Sequence, residues 1–264
     1  MRPAELTRTV AQRAIADGLV LLALAVWWWS SRHLPASVIP SPQAVLGRLV
    51  AIATEPALGW HALITTLRVM ASVLLSLVLG LALALAAHAR PWLDGIITDR
   101  ILVVLSGMPS VGWAILAVIW FKVSEFTVIF VQVMILLPFA LINFAEGLRN
   151  LDQEVIEMAD SFSTRRTATL VHVLIPMLLP YGIAALRVSY GVCWKIALVS
   201  ELFGAQSGLG YLMLQAQSVG DVVTVVATCL IIVLLFTLGE ALVINPIART
   251  LRKDIAQAEA KSKT

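Results

Sequence analysis

The sequence predicts an all-α membrane protein with six spanning helices, on three observations. Of its 264 residues, 59% are hydrophobic and 13% charged, against about half and about a quarter in a soluble chain, and the mean hydropathy is +0.91. Six segments approach or exceed the roughly 20 apolar residues a helix needs to cross hydrocarbon: 15–30, 63–87, 101–121, 126–145, 181–200 and 222–243. The basic residues between them are also one-sided. If the N-terminus faces the cytoplasm, the inside collects Arg2, Arg8, Arg13, Arg90, Arg100, Arg149, Arg165, Arg166, Arg249, Arg252, Lys253, Lys261 and Lys263. The outside then keeps Arg32, Arg48 and Lys122. The positive-inside rule therefore expects both termini in the cytoplasm.

The first segment is the shortest and carries Asp17. Basic residues precede it, as they precede a signal peptide. Trp27, Trp28 and Trp29 instead read as an interfacial aromatic belt, so a retained span is expected. Residues 31–62 follow outside, with Pro35, Pro40 and Pro42 before a short helical stretch over 43–53. In the second span Ser72, Ser76, Gly80 and Ala84 recur at every fourth position, so one face admits a close neighbour. Packing within the bundle and a subunit contact both fit that stripe.

Pro138 removes one backbone donor from the fourth span and is expected to kink it. Asp221 stands just before the last span as its expected N-cap. No polar block is long enough to fold alone, so 1–264 reads as one membrane domain. The net charge of +3 is scattered between spans rather than gathered in a nucleic-acid patch. Cys193 and Cys229 lie in apolar runs and read as small buried hydrophobes without metal spacing.

The longest loop on the cytoplasmic side, 146–180, is the most informative. Val155, Ala159 and Phe162 form an apolar stripe at helical spacing, opposite Glu154, Glu157 and Asp160. Ser163-Thr164 interrupts the pattern, and a second amphipathic stretch runs to Leu174, before Pro176. Two short helices joined by a turn need a partner to bury that stripe, and the acidic front disfavours anionic lipid.

Glu157-Met158-Ala159, then Ser163, then Val173-Leu174-Ile175-Pro176 resembles the EAA loop of binding-protein-dependent permeases. That family's pattern is Glu-Ala-Ala, three residues, Gly, nine residues, then Ile-x-Leu-Pro, and every spacing matches. Met158, Ser163, Val173 and Ile175 depart from it; Ser163 replaces a glycine suited to a left-handed turn with a residue able to cap a helix. The Leu34-Pro35 to Val45 segment, and Glu201-Leu202-Phe203-Gly204 with Gly208-Leu209-Gly210-Tyr211-Leu212, resemble the sulfonate, taurine and nitrate branch.

The resemblance implies the transmembrane domain of a type I ATP-binding-cassette importer. Glu157, Met158, Ala159, Asp160, Phe162, Ser163, Thr164 and Arg165 would belong to its coupling helix, spanning about 157–169. It implies two copies of a separate ATPase subunit, which would hold ATP and Mg²⁺. It also implies a second permease copy, a periplasmic substrate-binding protein and residence in the bacterial inner membrane.

Ionisable residues within spans are functional candidates, because burying them is costly. Lys195 and Arg187, eight residues apart in the fifth span, could line an anion path. Alternatively, Arg187 snorkels and Lys195 pairs with a carboxylate such as Glu240 on the last span. Glu201 ends that span, joins them as a path candidate, and is expected to meet water or a partner loop. Arg68 is expected to snorkel, and the four histidines to be ordinary interfacial residues.

The chain lacks Gly-x-Ser-x-Gly, His-Glu-x-x-His and a phosphate-loop lysine, so neither intramembrane hydrolysis nor ATP hydrolysis is expected of it. No metal ligand set or cofactor is expected either. A secondary transporter or channel remains the alternative, although no internal repeat supports it.

Overall fold

The computed structural model describes residues 3–151 and 174–250, with side chains from residue 15 onward. All regular structure among them is helical. The helices are α1 (Pro3–His33), α2 (Pro42–Thr54), α3 (Pro56–Ala89), α4 (Pro91–Gly107), α5 (Ser110–Phe121), α6 (Glu125–Arg149), α7 (Ile175–Gly204), α8 (Leu209–Ser218) and α9 (Val222–Thr250). Wide π turns at Ile97–Ile101 and Glu240–Ile244 interrupt α4 and α9.

Four helices, α3, α6, α7 and α9, are long and apolar enough to cross a membrane; α4 and α5 together make a fifth if counted as one bent span. The expected third span, 101–121, falls on two helices, α4 and α5, that meet at a 92° bend. Pro109 explains the break: it disfavours α geometry at the preceding residue, and Met108 takes ψ 127°. Pro138, by contrast, lies buried within a continuous α6.

The described residues group into two compact units. One draws on Met1–Gly59 and Leu212–Ile231. In it, Trp27 Nε1 donates to the Pro40 carbonyl at 3.1 Å, and the Arg32 guanidinium lies 3.7 Å from the Trp28 ring centre. Ser41 caps α2 by accepting from the Ala44 amide at 3.2 Å, with Pro42 preset for the first turn. The expected short helix over 43–53 is therefore present. Asp221 caps α9, its Oδ1 accepting from the Thr224 amide at 3.0 Å. Cys229 is exposed rather than buried, although its Sγ lies 4.0 Å from Met213 Sδ of α8.

The second unit draws on Trp60–Tyr211 and Ile232–Thr264. Here α7 packs along α6, and α5 packs on both. Ser72, Ser76, Gly80 and Ala84 are all buried. A Cβ on Gly80 would lie 2.6 Å from that of Ala140, so the small-residue stripe serves close packing of α3 on α6 within the chain. Below that contact, Ala84, Ala87, Leu141, Phe144, Leu148 and Leu178 form an apolar core.

Candidate functional site

The start of α3, the start of α6 and the end of α7 meet at one end of the second unit. Three charges carried by those helices converge there. Arg68 is 2% exposed and Glu201 0%, whereas Glu125 is 60% exposed. Arg68 Nη1 donates to Glu201 Oε1 at 2.8 Å and Nε to Glu125 Oε2 at 2.6 Å; Nη2 also donates to Glu125 Oε1. Its remaining donors reach the Ser207 carbonyl and hydroxyl, each at 2.8 Å. All five guanidinium N–H groups thus have acceptors, which lysine could not reproduce.

Glu201 is satisfied as fully. The Thr65 hydroxyl lies 2.8 and 2.9 Å from its two oxygens, and Oε2 accepts the Gly210 amide at 2.8 Å. Thr65 Oγ1 also accepts the Leu209 amide at 2.8 Å, and His61 Nδ1 accepts the Gly208 amide at 3.0 Å. Accepting at Nδ1 places the ring proton of neutral His61 on Nε2. Side chains of α3 and α7 therefore hold three successive amides, 208–210, at the turn into α8.

This network explains why the turn reads Gly-Leu-Gly. Gly208 has φ +104°, and a Cβ there would run into the Glu201 carboxylate. A Cβ on Gly210 would lie 2.6 Å from that of Glu201. Gly208→Ala should cost at least about 2 kcal/mol of stability, from backbone strain plus collision. Gly220, at φ +73° in open space, is the control. Thermal unfolding of the two alanine variants should show a larger loss for Gly208, and equal losses would contradict the collision.

The structure corrects two expectations. Glu201 does not meet water and Arg68 does not snorkel: each is buried by the other, because a satisfied internal ion pair avoids exposing either charge to hydrocarbon. The role of His61 in holding the Gly208 amide was not legible, nor were those of Thr65, Glu125 and Ser207. The available signal was charge: Arg68 and Glu201 have opposite signs and lie at the same end of their spans.

Lys195 and Arg187 are not brought to this cluster. Both lie on the exposed face of α7 with Ala184, Val188 and Phe203, while Cys193, Trp194, Ile196 and Ala197 face inward. Lys195 lies about 14 Å along the helix from Gly204. Among the described residues it makes no ion pair, so the alternative pairing with Glu240 is not formed. Arg187 Nη2 instead donates to Asn245 Oδ1 at 3.0 Å. The expected coupling segment, including Glu157 to Arg165, lies outside the described residues.

Comparison with known proteins covers most of the chain. The pattern of the family described as binding-protein-dependent transport system inner membrane component matches residues 76–248. The taurine transport system permease protein TauC of Escherichia coli K12 is 28% identical, over 86% of this chain and 86% of that protein. The putative aliphatic sulfonates transport permease protein SsuC of the same organism is 28% identical, over 83% and 81%. A probable ABC transporter permease protein of Haemophilus influenzae is 32% identical, over 75% and 80%. With several apolar spanning helices and a family pattern over well over half its length, the chain belongs to the binding-protein-dependent inner-membrane components, as a permease subunit of an ATP-binding-cassette importer.

Proposed function

We propose that this permease forms the path for a small sulfonate such as taurine or an alkanesulfonate, delivered by a periplasmic binding protein. The observation that carries the reading is the exposed face of α7. An ammonium such as that of Lys195 costs several kcal/mol against hydrocarbon, and intramembrane charges ordinarily face water or another protein. A path lined by Lys195 and Arg187, between this chain and a second copy, gives both cations such surroundings and suits an anionic cargo. Glu201 contributes by holding the end of the path helix through Arg68. The similarity to taurine and aliphatic sulfonate permeases supports the cargo class.

In this reading the chain has six spans, α1 supplying the first, with both termini cytoplasmic. Two copies form a homodimer. Each presents its 157–169 hairpin, with Glu157, Met158, Ala159, Asp160, Phe162, Ser163, Thr164 and Arg165, to one of two ATPase subunits. Those subunits bind ATP and Mg²⁺ and supply the hydrolysis; this chain supplies the path and the lever. ATP binding draws the hairpins together and turns the path outward, and hydrolysis resets it.

The test is purification of the chain alone and with its co-expressed ATPase and binding protein, followed by sulfonate uptake into proteoliposomes. ATP-dependent uptake by the full assembly supports the reading. Ion-driven uptake or channel activity of the chain alone would replace it with the secondary-transport alternative. Within the assembled complex, Lys195→Met should lower uptake about tenfold or more, as the loss of one path charge implies. Unchanged uptake would remove Lys195 from the path.

A further inference from the structure

A second polar site is built within the unit that draws on Met1–Gly59 and Leu212–Ile231. A cavity of about 400 Å³ is lined by Arg48, Leu212, Gln215, Ala216, Ser218, Val219, Asp221 and Thr224. That volume is within the usual range of small-molecule pockets. Thr224, Leu212 and Ala216 are buried, whereas Gln215, Ser218 and Val219 are exposed.

Arg48 is fixed rather than waving. Its Nε donates to Thr224 Oγ1 at 2.8 Å, and that hydroxyl donates to Asp221 Oδ2 at 2.5 Å. The chain of donors orients the guanidinium, whose Nη groups carry no hydrogen bond to a described residue. Asp221 is held below the ordinary carboxylate range, chiefly by the Thr224 hydroxyl, with the Arg48 charge adding to it. The pocket therefore presents a fixed cation and a fixed anion, with acceptor capacity left on the Asp221 carboxylate beyond that used by Thr224 and the Val223 amide.

Resting on the cargo class proposed above, we infer that this pocket is a recognition site for a small zwitterion bearing both a sulfonate-type oxyanion and an ammonium. The fork of Arg48 matches a tetrahedral oxyanion, and Asp221 accepts the ammonium. A simple anion would meet Asp221 at a cost, so the pair of charges makes the site selective rather than merely attractive. The location fits a loading step: both α2 and the α8–α9 connection belong to segments that the proposed topology puts outside.

The test uses the full chain in lipid nanodiscs, without ATPase, titrated with 2-aminoethanesulfonate, ethanesulfonate and ethylamine while thermal unfolding is followed. Wild type should be stabilised by 2-aminoethanesulfonate at concentrations at least about tenfold lower than by either half-ligand, as expected for losing a charge-assisted contact. Arg48→Gln should abolish that stabilisation. Asp221→Asn keeps an acceptable cap and should invert the preference toward ethanesulfonate, which a merely structural staple would not do. Equal response to 2-aminoethanesulfonate and ethanesulfonate in wild type, or no response to any probe, would overturn the inference, as would an unchanged response in Arg48→Gln. ATP-driven sulfonate uptake by an assembly whose permease shows no such binding sinks this inference alone. Binding by a chain that engages no ATPase leaves the pocket standing and sinks the proposed function.

Discussion

Arg68→Leu should destabilise the chain by about 3–5 kcal/mol, since it strands the Glu201 carboxylate in the interior without its cation. Glu201 is fully buried and takes one of its hydrogen bonds from Arg68 Nη1 at 2.8 Å. The protonated acid would relieve the charge but would still lack its former donor. Glu201→Leu should cost less, because Arg68 retains the bidentate contact with exposed Glu125. The double variant should be less harmful than the two single costs added together, since neither charge is then left without the other. Arg68→Lys should recover only part of the loss, as three ammonium donors cannot serve five acceptor contacts. Thermal unfolding of the purified chains in nanodiscs gives the four numbers. Additive losses for the single variants would mean that the pair carries no coupling.

Charge reversal at Glu157 should lower sulfonate uptake to about a tenth or less of wild type, while membrane insertion and ATP hydrolysis by the partner persist. The reasoning is electrostatic. Setting a like charge against a complementary protein surface costs several kcal/mol, and each 1.4 kcal/mol is tenfold in an equilibrium. A bulky residue at Ala159 should act similarly by holding the hairpin off its groove. Uptake, ATPase rate and co-purification are measured on the same preparation. Full transport by both variants would take the hairpin out of the coupling role. Loss of insertion together with uptake would assign these residues to folding instead.

The spans α3, α6, α7 and α9 were legible in the sequence because lipid makes an unusually simple demand: a long apolar run that satisfies its own backbone. The same simplicity made local features readable. Asp221 before an apolar run caps α9 as expected, and the 43–53 stretch after Pro42 is helix α2. The stripe from Ser72 to Ala84 showed that something must approach α3 closely. That the neighbour is α6, meeting Gly80 at Ala140, came from the fold. The hydropathy of 101–121 gave no sign of the bend at Met108-Pro109, since an average over apolar residues does not register the one proline that breaks the helix.

The ionisable residues separate more sharply. Lys195 and Arg187 stood out because they lie within apolar runs, and both occupy an open helix face. Arg68 and Glu201 stood out equally, yet their mutual burial depends on residues 133 positions apart being brought within 2.8 Å. By itself the sequence determined that this chain lies in a membrane as a set of helices, and its motifs determined the permease family. Only the tertiary structure decided which charges neutralise one another and which stay available. A charge's cost depends on its neighbours in space, whereas hydropathy registers only its neighbours along the chain.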